Sequence, residues 1–151
     1  MPRPVNIPLL LMHAEKPPVG FYRYLYDAVG RVFHWVDRKK LPDEQLRAII
    51  EDPGVELWVL YVRGAPAGYF ELDARDKTDI ELVYFGLLDD FQGLGLGKWF
   101  LSEAIAAGFA HSPKRLRVET CTLDGPAALP LYQKLGFVPV ARKDKTMELL
   151  E

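Results

Sequence analysis

The sequence predicts an α/β domain built around a mixed β-sheet. Apolar, β-rich segments are interspersed with amphipathic segments of helical period, and their order along the chain is βααβββαβαββ. No internal repeat, low-complexity stretch or linker interrupts this order, so we expect a single domain over residues 1–151. The chain is 49% apolar and 26% charged, a globular composition that excludes a disordered, collagenous or coiled-coil protein.

Proline and glycine residues mark where the elements in the first half of the chain begin and end. Pro8 makes the first strand an edge strand, because proline cannot donate to a ladder. Pro42 lies at the expected first position of a helix, and Pro53 and Gly54 end that helix. The predicted elements are a strand over 5–13, a short helix and loop within 21–35, a helix over 42–52, a strand over 55–62, a turn over 64–68 and a strand over 69–73.

The second half of the chain begins with an apolar segment that predicts a central strand before a glycine-rich stretch. Pro113 stops the helix that follows this stretch, and Gly136 is a candidate left-handed cap of a later helix. The predicted elements are a strand over 79–87, a helix over 97–110, a strand over 116–121, a helix over 126–135 and a last hairpin with strands over 137–140 and 145–150.

Charge and cysteine content narrow the possible partners. Nineteen basic and twenty-one acidic residues leave a net charge of −2, so no global charge attracts nucleic acid or an anionic membrane. Cys121 is the single cysteine, and no cysteine and histidine cluster has zinc spacing. No run approaches the ~20 apolar residues that cross a bilayer. We therefore expect a cytoplasmic domain with no metal, no nucleic-acid partner and no membrane association.

Residues 91–98 form the glycine-rich stretch between the predicted central strand and its helix. Glycines let the backbone approach a ligand closely, and the free N–H groups at a helix start bind anions. A dinucleotide fingerprint fails because Lys98 stands where its third glycine is needed. A P-loop fails because Gln92 stands where it needs glycine and Trp99 where it needs serine or threonine.

Gln92, Gly95 and Gly97 fill the motif Q-x-x-G-x-G, and here the sequence resembles the GNAT superfamily of acetyl-CoA-dependent N-acetyltransferases. In that family the loop amides and the following helix start hold the pyrophosphate of coenzyme A. A tight turn that only packs the helix on the sheet is the alternative. The resemblance implies coenzyme binding by Gln92, Gly93, Leu94, Gly95, Leu96, Gly97 and Lys98. Lys98 also fits a solvated lysine at the helix start.

Residues 123–137 are similar to the C-terminal signature of the same family, L-D-N-P-x-A-L-x-L-Y-x-K-x-G-F. Gly125 replaces the usual asparagine, which removes a side-chain contact to the coenzyme. Asp124 is either a substitute for that contact or a helix cap. Pro130 lacks a helical N–H, so we expect the regular helix to start near it.

Acetyl transfer needs a base, because an alkyl amine with a pKa near ~10.4 is almost wholly protonated at neutral pH. The resemblance implies Glu81 as this base; the alternative is a carboxylate that pairs with a basic neighbour or faces solvent. Glu71 and Glu119 on adjacent strands are weaker candidates. Tyr132 lies at the family's tyrosine near the thioester sulfur, so it is expected either to protonate the thiolate or to pack in the core.

Backbone groups of the strand over 79–87 complete the implied site. In the family, a bulge splays this strand from its neighbour, and the pantetheine arm pairs with the strand's backbone. The residues that the resemblance implies for this contact are Phe85, Gly86 and Leu87. The N–H of Leu87 is the expected donor to the oxyanion. The implied fold is the GNAT acyl-CoA N-acyltransferase fold, with central strands splayed around the coenzyme.

The aromatic N-terminal segment is a candidate for acceptor binding. Tyr22 and Tyr26 share one helical face, and Trp35 follows in a loop. An aromatic wall of this kind binds a cation or an aromatic amine. The alternative is a lid that packs on the core.

Together these residues favour an N-acetyltransferase that moves the acetyl group of acetyl-CoA to a primary amine by direct attack in a ternary complex. The acceptor is expected to be a small-molecule or peptide amine. The alternative is a non-catalytic acyl-CoA-binding regulatory module of the same fold, which Gly125 and Pro130 favour. A homodimer is a further expectation, because dimers are frequent in the family.

Overall fold

The structure is a computed structural model that describes residues 3–31, 35–119, 138–141 and 146–150. Its strands are β1 Leu9–Ala14, β2 Val55–Val62, β3 Ala65–Asp73, β4 Asp79–Leu87, β5 Arg115–Glu119, β6 Val138–Ala141 and β7 Thr146–Leu150. Its helices are α1 Val19–Gly30, α2 Asp43–Ile50 and α3 Gly97–Phe109. The seven strands form one sheet in the order β1-β2-β3-β4-β5-β7-β6. This is the mixed α/β fold that the sequence predicts.

The sheet combines antiparallel and parallel neighbours. Strands β1 to β4 are consecutive antiparallel neighbours, β4 and β5 are parallel, and β7 is antiparallel to both β5 and β6. Helix α3 makes the crossover that a parallel pair requires. The predicted bounds of β2 and β4 are confirmed, whereas the predicted helix over 126–135 lies outside the described residues.

Alternating side chains along the strands supply one core on each face of the sheet. The core beneath α3 contains Phe70, Leu72, Leu82, Phe85, Phe100 and Leu116. The core beneath α1 and α2 contains Tyr22, Leu25, Leu46, Val59, Tyr69 and Tyr84. Each fully buried side chain of this kind contributes about 1.5–3 kcal/mol relative to an exposed one. The two cores fix which side chains of β3 and β4 point to which face.

The connection between β2 and β3 is shorter than the sequence predicts. The predicted turn over 64–68 is wrong, because β3 begins at Ala65 and only Arg63 and Gly64 form the turn. Their φ angles are 51° and 86°, the left-handed pair that a type I′ hairpin turn needs. Gly68, which suggested a longer turn, lies within the strand.

Gly68 has a packing role in β3. It pairs with Leu87, and an added Cβ would lie 2.5 Å from the carbonyl oxygen of Gly86 and 3.0 Å from the Cα of Leu87. These are backbone atoms, so relief of the clash would require β4 to move. Gly68 therefore permits β3 to approach the end of β4 closely.

Gly68→Ala is expected to lower the free energy of unfolding by about 1–3 kcal/mol, the usual cost of overpacking a closely packed position. The matched control is Gly20→Ala in α1, where an added Cβ meets no heavy atom within 4 Å. The control should be neutral or stabilise by about 0.5–1 kcal/mol. Urea unfolding followed by circular dichroism measures both variants, and equal stabilities would contradict the packing role of Gly68.

Candidate functional site

The glycine-rich stretch connects the end of β4 to the start of α3. A 3₁₀ turn over Asp89–Phe91 leads into it, and α3 begins at Gly97. Gly93 and Gly95 have φ angles of +80° and +76°, which side chains rarely adopt. An added Cβ on either residue would meet no heavy atom within 4 Å. These two glycines therefore serve the backbone conformation of the loop and not a tight contact between helix and sheet.

The loop presents exposed backbone at the N-terminal end of a long helix. Residues 92–95 and Lys98 are exposed, while Leu96 is buried beneath them. The side-chain nitrogen of Gln92 donates to the carbonyl oxygen of Leu87 at 3.4 Å, which ties the loop to β4. The first N–H groups of the 13-residue helix α3 have no carbonyl partner within the helix. The arrangement suits a phosphate or a similar anion.

The last residues of β4 turn their backbone groups alternately toward and away from β3. Leu88 donates to the carbonyl oxygen of Ala67 at 2.7 Å, so these two residues form a hydrogen-bonded pair. In an antiparallel ladder such pairs alternate with pairs that share no hydrogen bond. The next pair, Gly68 with Leu87, is therefore of the second kind. Both backbone polar groups of Leu87 point away from β3, toward the side of β5.

The same alternation separates the three residues expected beside the pantetheine arm. Gly86 pairs with Tyr69, and its backbone groups face β3. Phe85 is in register with Phe70, one step further along, so its backbone groups face β5 as those of Leu87 do. Phe85 and Leu87 therefore direct their backbone N–H and C=O groups to the β5 side of β4, where the side chain of Gln92 binds the carbonyl of Leu87. Gly86 does not.

The described pairing of the parallel strands β4 and β5 is short, and we call its last pair, Leu82 with Val118, the fork. The ladder runs from the pair of Asp79 and Arg115 to the pair of Leu82 and Val118. Val83 is an extra residue in β4 at the register shift with β3, a bulge that bends the strand. Beyond it, no residue in the described part of the chain pairs with the β5 side of β4.

Glu81 lies next to the fork. Its neighbours Ile80 and Leu82 point into the core beneath α3, so Glu81 points to the opposite face. Its register partners are Asp73 on β3 and Arg117 on β5. The Oε1 atom of Glu81 lies 3.7 Å from Nη2 of Arg117, and both side chains are 24% exposed. The ion-pair alternative for Glu81 is therefore present, and its role as the base stays a prediction.

Asp79 connects the two arginines of β5. It accepts hydrogen bonds from Nη2 of Arg115 at 2.9 Å and from Nε of Arg117 at 2.7 Å. Although burial raises the pKa of Asp79, the hydrogen bonds from the two arginines outweigh burial and lower this pKa below its ordinary value. Asp73 is paired in the same way with Arg75, at 2.7 Å.

The aromatic residues proposed for acceptor binding pack beneath α1. Tyr22, Tyr26 and Trp35 are 0%, 2% and 6% exposed. The ring centroids of Tyr26 and Trp35 lie 5.1 and 4.9 Å from that of Tyr84 on β4. This packing agrees with the alternative interpretation, in which the segment is a lid that packs on the core. A contact between these rings and an acceptor stays a prediction.

Glu71 is a charged side chain buried within this aromatic cluster, at 1% exposed. The hydroxyl of Tyr22 donates to Oε1 at 2.5 Å, and Nη2 of Arg38 donates to Oε2 at 3.0 Å. The Arg38 guanidinium also lies over the ring of Tyr84, 5.4 Å from its centroid. Both carboxylate oxygens are engaged. Glu71 therefore anchors α1 and the 3₁₀ turn Arg38–Lys40 to the sheet, and it is poorly placed to act as a base.

Sequence reasoning missed the partnership of Glu71 with Arg38. The signal available was a carboxylate in the apolar strand segment 69–72, since such a carboxylate is buried only with a partner. Its partner lies 33 residues away in the chain and belongs to no periodic pattern, so the signal does not identify it.

Burial dominates the titration of this cluster. Removal from water raises the pKa of Glu71 above its ordinary value, against the opposing effects of Arg38 and Tyr22. Burial disfavours the charged guanidinium of Arg38, but the Glu71 carboxylate outweighs this and raises its pKa. Burial, and then the same carboxylate, raise the pKa of the Tyr22 and Tyr69 hydroxyls. These phenols remain protonated at neutral pH.

A cavity of about 270 Å³ lies beside the cluster, between α1 and the 3₁₀ turn that contains Arg38. Its lining residues are Tyr22, Arg23, Tyr26, Asp27, Arg38, Lys39 and Leu46. Each basic residue of the lining has an acidic partner within 3.0 Å. The partners are Asp43 for Arg23, Asp27 for Lys39 and Glu71 for Arg38. No excess charge in the lining selects the sign of a ligand.

Three further expectations concern a metal site, a membrane-spanning helix and the second motif. Within them, no group of three or more histidine, cysteine or acidic side chains is arranged to hold a metal ion. None of the helices in the same part of the chain has the length and apolarity of a membrane span. Tyr132 and Asp124, with the rest of the second motif, lie outside the described residues.

A comparison with protein-family models matches residues 21–137 to the acetyltransferase (GNAT) family. The match covers more than half of the chain and includes both motifs. No curated protein sequence matches the chain.

Solved structures share the fold at low sequence identity. The PaiA N-acetyltransferase of Thermoplasma acidophilum, in complex with coenzyme A, is 15% identical, with a TM-score of 0.71 over 95% of this chain and 99% of that one. An acetyltransferase from Streptococcus agalactiae is 14% identical, with a TM-score of 0.73 over 95% and 98%. A spermidine N-acetyltransferase from Vibrio cholerae is 19% identical, with a TM-score of 0.69 over 94% and 93%. These similarities show the fold.

Arg38→Met removes the cationic partner of a buried carboxylate and is expected to lower the free energy of unfolding by about 3–5 kcal/mol at neutral pH. Urea unfolding measures it. The control is Arg31→Met on the surface, where the side chain is 71% exposed and the change should stay within about 0.5 kcal/mol. The double variant with Glu71→Gln should recover part of the loss, and fully additive losses would contradict the pairing.

The loss in Arg38→Met should also depend on pH. Burial already raises the pKa of Glu71 in the folded state, and without Arg38 this pKa rises further. A group with a raised folded pKa favours folding at pH values below its unfolded pKa, near ~4.3, and this contribution is lost as pH rises through the folded value. The deficit of the variant relative to the parent should therefore shrink toward pH 4.

Proposed function

The chain belongs to the acetyltransferase (GNAT) family, and from this premise we propose that it transfers the acetyl group of acetyl-CoA to a primary amine. The observation that carries the proposal is the exposed loop at the start of α3, with the left-handed glycines Gly93 and Gly95, beside the end of β4, where the backbone groups of Leu87 face away from β3. A strand edge with outward N–H and C=O groups suits an amide-containing arm, and a loop of exposed N–H groups suits a pyrophosphate. Coenzyme A carries both groups in one molecule.

Two sets of residues would hold the coenzyme. The loop residues Gln92 to Lys98 would bind the pyrophosphate through backbone N–H groups, with the Lys98 ammonium as the added cation. Phe85 and Leu87 would pair with the pantetheine amides through the backbone groups that face away from β3. The coenzyme supplies an acetyl group activated as a thioester. The PaiA N-acetyltransferase, which shares the fold, forms a complex with coenzyme A, and this supports coenzyme binding by the present chain.

The reaction proceeds by direct attack in a ternary complex. The amine nitrogen attacks the carbonyl carbon, a C–N bond forms and the C–S bond breaks. The N–H of Leu87 donates to the carbonyl oxygen as its negative charge develops. Glu81 accepts the proton that the amine loses.

Tyr132 donates a proton to the departing thiolate in this proposal. Transfer from a phenol of pKa ~10 to a thiolate whose thiol has a pKa near ~8.5 is uphill by about 2 kcal/mol. Such a transfer is useful only when the hydroxyl lies within hydrogen-bond distance of the sulfur. The motif position of Tyr132 is the basis for placing it there.

We place this activity in a single cytoplasmic domain over residues 1–151 that acts on a small-molecule or peptide amine, with a homodimer as its proposed assembly. The sharing of the fold with a spermidine N-acetyltransferase supports an amine acceptor. The second candidate function, a non-catalytic acyl-CoA-binding module, is favoured by Gly125 in place of the family's asparagine and by Pro130 within the motif helix.

Purified protein incubated with acetyl-CoA and a panel of amines should release free thiol, which a colorimetric thiol reagent measures. Tyr132→Phe should lower kcat at least tenfold while calorimetry shows unchanged affinity for coenzyme A, because the variant loses only the proton donor. Tyr24→Phe, at an exposed tyrosine of α1, is the control and should keep full activity. Tight coenzyme binding without thiol release from any amine would instead support the non-catalytic module.

Gly95→Ala should weaken the binding of coenzyme A by about 5- to 30-fold, because a side chain at φ +76° costs about 1–2 kcal/mol in the loop conformation that binds. Isothermal titration calorimetry measures the dissociation constant. Gly20→Ala serves as the control, since it adds the same methyl group to a helix at an open position. Unchanged affinity in Gly95→Ala would show that the left-handed loop is not the pyrophosphate site.

A further inference from the structure

Arg117 is held in place by two strands at the fork. Its Nε donates to Oδ1 of Asp79 at 2.7 Å, and its Nη2 lies 3.7 Å from Oε1 of Glu81. Asp79 and Glu81 are two residues apart in β4, so they lie on the same face of the sheet. The guanidinium therefore bridges two carboxylates of the neighbouring strand.

Arg117 lies near the end of the described ladder between β4 and β5. Arg117 is in register with Glu81, one pair before the last pair of the ladder, Leu82 with Val118. Beyond that pair, no described residue continues the ladder along β4. The bridge thus lies at the fork, next to the segment of β4 that would hold the proposed coenzyme arm.

Two other carboxylates near Glu81 in the described strands have basic partners of their own. Asp73 on β3, its antiparallel register partner, is bound by Arg75. The second oxygen of Asp79 is bound by Arg115. Of the cations on the strands that flank Glu81, Arg117 is the one that lies within 4 Å of its carboxylate among the described residues.

We propose that Arg117 is a positioning residue for Glu81, which it orients at the fork and keeps ionised. This inference rests on the proposed function, in which Glu81 is the base. An opposite charge within about 4–6 Å favours the charged form of a carboxylate. The hydrogen bond to Asp79 fixes the guanidinium, so the charge stays at one place relative to the Glu81 carboxylate. A base has to be deprotonated before the amine arrives, and Arg117 meets this requirement at lower pH.

Arg117→Gln tests the proposal through the pH dependence of kcat/KM. Without the cation, the pKa of Glu81 rises. The acidic limb of the kcat/KM profile should therefore move to higher pH by roughly half to one unit. This shift is at or below the lower end of the range for such a pair, because both side chains are a quarter exposed and solvent screens them. Arg117→Lys keeps the charge but loses the forked geometry, so its limb should stay nearer that of the parent while kcat falls.

Arg115→Gln is the matched control. It removes a cation from the same strand that binds the same aspartate, two residues from Arg117 in the sequence. Its acidic limb should move much less than that of Arg117→Gln. A limb that is the same in the parent, Arg117→Gln and Arg115→Gln would overturn the proposal.

A second measurement does not depend on turnover. Carbon-13 NMR of the glutamate carboxyl groups, with the Glu81 signal assigned through Glu81→Gln, gives the titration midpoint of Glu81 directly. The midpoint should rise in Arg117→Gln and not in Arg115→Gln. An unchanged midpoint overturns the proposal even in an active enzyme. A shifted midpoint in a protein that releases no thiol from any amine means that the ion pair exists and that the proposed function has failed.

Discussion

The bulge at Val83 decides which backbone groups of β4 face β3, and the candidate site depends on this one irregularity. Val83 adds one residue to β4 opposite β3, so the alternation of backbone groups shifts by one residue from there to the strand end. A buried backbone N–H or C=O without a partner costs free energy, so the groups of Phe85 and Leu87 that face away from β3 need partners of their own. Gly68 keeps β3 close to the strand end and so holds Leu87 in place.

The buried Glu71 serves a different purpose from the carboxylates at the fork. Removing an ionised carboxylate from water costs several kcal/mol, and the Arg38 guanidinium and the Tyr22 hydroxyl offset that cost. The gain is a defined position for α1 and for the 3₁₀ turn, neither of which is joined to β3 by backbone hydrogen bonds. Because Arg38 also lies over Tyr84 at the bulge, the helical layer and the bend in β4 are fixed by one cluster.

The sequence alone predicts the elements whose signals are local. The β2 and β4 segments are apolar, rich in β-branched and aromatic residues, and bounded by turn residues, and their predicted ends agree with the structure. The turn over 64–68 was predicted wrongly because glycine signals two different things, a left-handed turn at Gly64 and a close strand contact at Gly68. The pairing of Glu71 with Arg38 depends on tertiary packing, so no spacing rule reveals it. The loop glycines were identifiable because one short motif contains them all.

A net charge of −2 describes the whole chain and says little about the candidate site, where the charges are arranged by tertiary packing. On the sheet face at the fork, Asp73, Asp79 and Glu81 lie beside Arg75, Arg115 and Arg117. Matched charges of this kind produce little long-range field, so they cannot steer an amine toward the fork from a distance. Their effect is confined to a few ångströms, where it decides which carboxylate is ionised. Under the proposed function, selectivity for an acceptor would therefore come from short-range contacts and not from the overall charge of the domain.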